Sequence, residues 1–238
     1  MIGSPLTLTT LFTIGPIAIT VPVVVTWGMM AGIGGASLLA TRFLAIKPSA
    51  WQAVLELFLT AIEEQIQDAI RVTPQPYVPL LGTLFIFILF SNWSSLIPGI
   101  EPPTAHIETD AALALIVFGA VFYFGIRARG LFGFLKTFAE PSVVMIPLNI
   151  VEIFTRIFSL FVRLFGNIMS GVFIVAIVLS LAGLIVPIPL MALDLLIGAV
   201  QAYIFTVLAM AFIGGVVSDS ALAPSKRANP KTEARITP

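Results

Sequence analysis

Apolar residues fill five long stretches of this chain, and most charged residues lie between those stretches. The apolar stretches cover residues 12–39, 77–98, 111–126, 147–186 and 189–217. An α-helix needs about 20 mainly apolar residues to cross a bilayer, and only the third stretch is shorter than that. The pattern therefore predicts an all-α membrane protein with five membrane-crossing segments.

Residues 49–73 show a different pattern, because apolar residues alternate with carboxylates at helical spacing. The apolar positions are Trp51, Val54, Leu55, Phe58, Leu59, Ile62, Ile66 and Ile70. This spacing is typical of an amphipathic helix that lies at the membrane interface. A helix packed on a partner subunit fits the pattern equally well.

The last two apolar stretches are predicted to form a long, tilted hairpin. Residues 147–186 contain no proline after Pro147, so they would form a helix of roughly 60 Å at 1.5 Å per residue. That length is about twice the hydrocarbon thickness, so the helix must tilt, bend or extend beyond the membrane. Pro187 and Pro189 end this helix and open the next one. Residues 218–238 form a polar tail.

Composition excludes a soluble enzyme and a disordered chain. Of the 238 residues, 58% are hydrophobic and 10% are charged, and the mean hydropathy is +1.08. We therefore expect residues 1–238 to form one integral membrane domain. Twelve basic residues balance twelve acidic ones, so no nucleic-acid-binding surface is indicated. The chain has no cysteine and only one histidine, His106, and we expect neither a metal site nor a cofactor.

Basic residues fall on one side of the predicted topology. Ten of the twelve lie between the first and second spans, between the third and fourth spans, or in the tail: Arg42, Lys47, Arg71, Arg127, Arg129, Lys136, Lys226, Arg227, Lys231 and Arg235. The positive-inside rule places this side in the cytoplasm and the N-terminus outside. The uncharged residues 1–41 lack the basic segment of a secretory signal.

The other two basic residues, Arg156 and Arg163, lie inside the long fourth stretch. Six polar positions there share one helix face: Asn149, Glu152, Arg156, Arg163, Asn167 and Ser170. Glu152 and Arg156 are spaced to form an ion pair, which would be either structural or part of an ion entrance. Arg163 has no carboxylate one turn away, so its partner must come from another helix or another chain.

The fifth stretch carries Asp194 and Gln201 on one face. A hairpin turning at Pro187 would place this face against the stripe that holds Arg163. Gln201 is either a helix-to-helix hydrogen bond or part of an ion path. Asp194 has no partner on its own helix and is either an ion-path group or a partly exposed carboxylate near the outer interface. His106, in the polar loop from Glu101 to Asp110, is either a surface residue or part of an ion entrance.

Several of these segments resemble subunit a of rotary ATP synthases, in its bacterial and chloroplast-type form. The similar segments are Phe90-Ser-Asn-Trp93, residues 102–115, Pro147-Leu-Asn-Ile-Val-Glu152, Val162-Arg-Leu-Phe-Gly-Asn167 and Val200-Gln-Ala-Tyr-Ile-Phe205. The resemblance covers most of the chain from Trp51 to Val217.

The resemblance implies a stator subunit that packs against a ring of c subunits and contains two ion half-channels. By this resemblance Arg163 matches the family's essential arginine, and Asn167 matches the asparagine of the same motif. Gln201 matches the family's glutamine on the last helix. Many members have a carboxylate where this chain has Val172, and others have a polar group where it has Asp194, so Asp194 is expected to supply the half-channel carboxylate. The expected partners are the c ring, the subunit b stalk and the other synthase subunits. The coupling ion is a proton or sodium.

Two other function classes are compatible with the pattern. An independent secondary transporter or channel would use the same buried charges as substrate sites, but the chain shows no internal repeat and has few spans. A structural anchor would leave the charge of Arg163 unexplained. The chain has no phosphate-binding loop, so it is not expected to make ATP by itself. The expected location is the bacterial plasma membrane.

Overall fold

The computed structural model describes residues 10–14, 17–42, 50–70, 73–97, 102–138, 145–183 and 186–221. Six α-helices account for most of this part: α1 Val21–Arg42, α2 Ala50–Ile70, α3 Val78–Trp93, α4 Ile107–Phe138, α5 Met145–Ala182 and α6 Pro187–Ala221. All of them except α2 are long and apolar enough to cross a membrane. The predicted all-α membrane fold with five candidate spans is confirmed.

The start of the first predicted span differs from the expectation of a helix from residue 12. Strands β1 Thr10–Ile14 and β2 Ile17–Thr20 pair in an antiparallel ladder, and α1 begins only at Val21. The β-branched residues of both segments favour extended backbone. Pro22 lies in the first turn of α1, where the missing N–H costs no helical hydrogen bond.

The third span is longer than the predicted residues 111–126. Helix α4 starts at Ile107 and continues through Arg127 and Arg129, which the sequence pattern placed between the third and fourth spans. Gly130 interrupts it with φ 71° and ψ 166°, a conformation that glycine adopts without the Cβ clash of other residues. The helix therefore continues through these charged residues and kinks at Gly130.

Helix α6 lies at the centre of the bundle and contacts α2, α3, α4 and α5. Its buried side chains include Ala202, Phe205, Ala209 and Ile213. Helix α5 packs on α4 and α6, and Gly183 with φ 73° ends it before the turn into α6. At 38 residues α5 is about 57 Å long, nearly twice the hydrocarbon thickness.

The two ends of the bundle carry different chemistry. At one end, which we call the basic end, the start of α3 lies beside Phe124 of α4. Arg156 of α5 lies beside α6 at the same end. At the other, which we call the polar end, the close of α3 meets a 3-10 turn at Pro103–Ala105 and the first half of α6. Of the ten basic residues in the topology argument, Lys47, Arg71 and those of the tail beyond residue 221 lie outside the described residues.

Candidate functional site

Arg163 lies near the middle of α5 on a surface that this chain leaves open. Its neighbours in the helix, Leu160 and Leu164, are 1% and 0% exposed, whereas Arg163 itself is exposed. Within the described residues Arg163 makes no hydrogen bond or ion pair. A guanidinium carries a permanent positive charge, so a balancing partner for Arg163 must come from beyond the described residues.

Glu152 and Arg156 form an ion pair one turn apart on α5, and both side chains are about half exposed. The guanidinium of Arg156 also lies 5.5 Å from the centroid of the Phe212 ring on α6, within range of a cation–π contact. Asn149 continues the same face toward the start of the helix and is half-buried. The charges at this end of the stripe therefore neutralise each other within the chain.

Two contacts fix the register of the antiparallel pair α5 and α6. Arg156 lies over Phe212, and the α-carbon of Gly171 lies so close to the Asp194 carboxylate that a Cβ at residue 171 would collide with it. Between these two contacts, the level of Arg163 on α5 corresponds to Tyr203 on α6. Gln201 therefore lies within about one helical turn of Arg163 along the hairpin.

Gln201 and Asp194 occupy different environments on α6. Gln201 is buried at 6% exposure, and its amide nitrogen has no hydrogen-bond partner in the described part of the chain. Asp194 is half-buried and lies two turns nearer the polar end, about 10 Å along the helix axis. The other predicted polar residues of α5 lie between these levels: Asn167 is half-buried, and the exposed Ser170 donates a hydrogen bond to its carbonyl oxygen at 2.8 Å.

A buried hydrogen-bond network at the polar end was not recognised in the sequence. The side-chain amide of Asn92 donates to the carbonyl oxygen of Gly198 at 2.8 Å, and the Thr104 hydroxyl donates to the Asn92 side-chain oxygen at 2.7 Å. Asn92 and Thr104 are almost completely buried. We call these three residues the Asn92 network, which joins α3, the 3-10 turn and α6 one turn from Asp194.

Of the two alternatives for His106, the surface position is wrong. His106 is 7% exposed, because the 3-10 turn folds it into the bundle immediately before α4 begins. Asp110, in the first turns of α4, is fully buried. The sequence signal was available: Asp110 leads directly into the apolar run Ala111–Val117 and so enters the span with it.

Within the described residues no cluster of three or more histidine, aspartate or glutamate side chains could hold a metal ion. Comparison with known proteins then decides the family. The profile of the ATP synthase A chain matches residues 23–214. The chain belongs to this family.

Similar proteins from bacteria carry the same description. ATP synthase subunit a 2 of Bradyrhizobium sp. strain BTAi1 is 59% identical, over 93% of this chain and 99% of the relative. Subunit a of Albidiferax ferrireducens is 46% identical over 84% of this chain and 87% of its own length. Subunit a 1 of Chlorobaculum parvum is 47% identical over 84% and 89%. The chain is thus an integral membrane, ion-translocating component of an ATP synthase and is not catalytic by itself.

Proposed function

We propose that the chain couples ion flow to rotation by presenting Arg163 to membrane-embedded carboxylates on a ring of c subunits. The observation that carries this proposal is an exposed guanidinium without a partner in the described residues, in the middle of an apolar helix. A charge at that depth costs several kcal/mol unless it is paired. The opposite charge of an approaching carboxylate offsets this cost, and the family to which the chain belongs works within a multi-subunit synthase.

The charge of Arg163 accounts for directionality. A fixed guanidinium stabilises the ionised form of each arriving carboxylate, so the carrier releases its proton or sodium ion there. The carrier cannot pass the arginine while loaded, which blocks direct leakage across the membrane. Each charge moved through 100 mV supplies about 2.3 kcal/mol, so several transfers drive one ATP.

Polar groups on both sides of Arg163 are proposed to line the two half-channels. Toward the polar end these are Gln201, Asn167, Ser170 and Asp194, and toward the basic end they are Asn149, Glu152 and Arg156. The register of the hairpin supports this assignment. It brings Gln201 within about one turn of Arg163, and Asp194 lies further toward the polar end. Asp194 supplies the carboxylate of its half-channel.

The basic end is proposed to face the cytoplasm of a bacterium, with the N-terminus outside and the C-terminus inside, because basic loops are retained there. Besides the c ring, the proposed partners are the subunit b stalk and the other synthase subunits. Most apolar side chains of α2, including Val54, Leu55 and Leu57, are exposed. This exposure supports a position of α2 at the membrane interface or against a partner subunit.

The test is the exchange of Arg163 in the complete synthase reconstituted into liposomes. Arg163→Ala should abolish ATP synthesis driven by an ion gradient while the complex still assembles. Arg163→Lys should also fail, because an ammonium lacks the planar, permanently charged fork. Arg42→Lys is the control, because Arg42 is exposed at the end of α1 and outside the proposed half-channels, and it should retain the activity. Normal coupled synthesis in either Arg163 variant would refute the proposed role.

A further inference from the structure

Helix α4 reverses direction near its end. The ring centroid of Phe134 lies 5.3 Å from that of Phe122, and the Phe134 ring lies so close to Gly125 that a Cβ at residue 125 would collide with it. A straight helix would separate residues 122 and 134 by about 18 Å along its axis. The chain therefore turns back at Gly130, where φ is 71° and ψ is 166°. We call residues 131–138 the fold-back segment.

The fold-back segment packs on the bundle through one side and leaves another side open. Phe134 is 2% exposed, whereas Leu131, Phe132 and Leu135 are 55%, 87% and 56% exposed. Phe132 is the most exposed large apolar side chain of the described residues. Spacings of three and four residues place Leu131, Phe132 and Leu135 on one face of the segment. The described part of the chain leaves this apolar face uncovered.

The turn back brings this apolar face to the depth of the bilayer. Phe134 returns to the level of Phe122 and Gly125, which belong to the part of α4 that is apolar enough to span a membrane. An apolar face at that depth contacts lipid hydrocarbon without cost, whereas in water it would be exposed to solvent. The fold therefore favours lipid over a water-soluble protein as the occupant of this face.

A cation lies close to the same face. Arg127 is exposed and lies one turn beyond Phe124, whose ring packs on Tyr77 at the start of α3 with 4.7 Å between the centroids. Arg127 therefore belongs to the basic end. Leu131 follows it by four residues, so their α-carbons are at most about 14 Å apart. A phospholipid spans one leaflet, about 20 Å, so a single molecule can contact both residues.

Arg127 and Tyr123 together offer hydrogen-bond donors for a phosphate group. The Arg127 guanidinium donates to the Tyr123 hydroxyl oxygen at 3.2 Å, and it forms no ion pair within the described residues. Its other N–H groups remain available to a ligand, and the Tyr123 hydroxyl keeps its own proton to donate. Both side chains are exposed, so a ligand can reach them from outside the chain. Guanidinium groups bind phosphate oxygens in charge-assisted, often bidentate pairs.

We propose that this end of α4 binds an anionic phospholipid in the leaflet at the basic end. Arg127 and Tyr123 bind the phosphate of the lipid, and Leu131, Phe132 and Leu135 insert among its acyl chains. Charge selects the lipid class, because an anionic headgroup balances the guanidinium, whereas a zwitterionic headgroup brings an ammonium of its own. This lipid site is separate from the proposed ion path and does not depend on Arg163.

The experiment measures which lipid contacts residue 132 in the complete synthase. The chain has no cysteine, so Phe132→Cys gives it one site for the apolar fluorophore bimane. Synthase without this substitution gives the labelling background. The labelled synthase is reconstituted in phosphatidylcholine vesicles that contain either phosphatidylglycerol or phosphatidylcholine with a nitroxide quencher on an acyl chain. Quenching at residue 132 should show about a fivefold preference for phosphatidylglycerol, as expected for one basic residue near an anionic headgroup.

Variants at the headgroup contact test the source of this preference. Arg127→Gln removes the charge and keeps a long polar side chain, so the preference should disappear. Tyr123→Phe deletes only the hydroxyl and should reduce the preference about twofold; it also tests the site if Arg127→Gln does not assemble. Arg42→Gln is the matched control, because Arg42 is an exposed arginine at the end of another helix. This control should keep the full preference.

Three results would overturn the lipid site. Absence of quenching by either lipid would show that a partner subunit covers the fold-back segment. Equal quenching by both lipids in the unaltered background would show that the face contacts the bilayer without recognising a headgroup. A full preference in Arg127→Gln, or in Tyr123→Phe where only that variant assembles, would exclude these donors as its source. None of these readouts requires ion flux, so failure of the lipid site is distinguished from failure of the proposed role of Arg163.

Discussion

The two ends of the bundle handle polar groups in opposite ways. At the basic end Glu152 and Arg156 pair across one turn of a single helix, and both remain about half exposed. At the polar end Asn92, Thr104 and Asp110 come from three different elements and are almost completely buried. The spacing along one helix is sufficient to pair charges in the first case. The second case depends on the packing of helices that are distant in sequence.

This difference has energetic consequences. Half-exposed ion pairs contribute little, because solvent screens them and long side chains lose entropy on pairing. Substitution of a buried hydrogen-bonding residue costs more stability, because removal of one partner leaves the other buried without a bond. Variants at the polar end should therefore destabilise the protein more than equivalent variants at the basic end.

The largest effect on stability is expected for Asn92→Leu. The substitution leaves the Gly198 carbonyl and the Thr104 hydroxyl without their partner, at about 2–4 kcal/mol in total. The free energy of unfolding is measured by titrating the solubilised synthase with a denaturing detergent. Thr104→Val removes only one of the two bonds and should cost about half as much. A loss below that of Glu152→Gln would show that the network does not stabilise the polar end.

The next largest effect is expected for Gly171→Ala. The new Cβ would collide with the Asp194 carboxylate, so the hairpin must separate or the carboxylate must move, at about 1–3 kcal/mol. Gly215→Ala on α6, the helix that carries Asp194, is the control, because a Cβ there meets nothing within 4 Å. Both stability and ion flux should fall only in the first variant. Equal behaviour of the two variants would contradict the register between α5 and α6.

A smaller effect is expected for Arg156→Ala at the basic end. This variant loses the ion pair with Glu152 and the contact with the Phe212 ring, which together contribute about 1 kcal/mol for partly exposed groups. The same denaturation measurement applies, and added salt should reduce the difference between variant and unaltered protein. A salt-independent loss larger than that of Asn92→Leu would reverse the comparison of the two ends.

The smallest effect is expected for Glu152→Gln, below about 0.5 kcal/mol. Glutamine keeps a hydrogen-bond acceptor for Arg156, and water solvates the remaining charge because both side chains are about half exposed. Stability is compared at low and high ionic strength. A cost above 1 kcal/mol at high salt would indicate that this pair is buried by a partner subunit.

Several features were predictable because they depend on the order of residues along one helix. The apolar stretches predicted all five candidate spans. Helical spacing placed Glu152 beside Arg156 and left Arg163 without a local partner. Errors occurred at the ends of elements: residue 12, the predicted start of a helix, lies in a strand, and the third span continues as helix beyond its predicted end at residue 126. At such boundaries local preferences are weak, and packing decides the outcome.

The sequence by itself determined the membrane class, the uneven distribution of basic residues and the polar stripe of α5, because hydrophobicity and helical period are local properties of the chain. Only the tertiary structure decided that Gly171 faces Asp194, that Asn92 bonds to Gly198 and that His106 and Asp110 are buried. Each of these contacts joins residues on different elements or depends on how a turn folds against its neighbours. Their energies depend on desolvation by surrounding helices, and no local pattern encodes that environment.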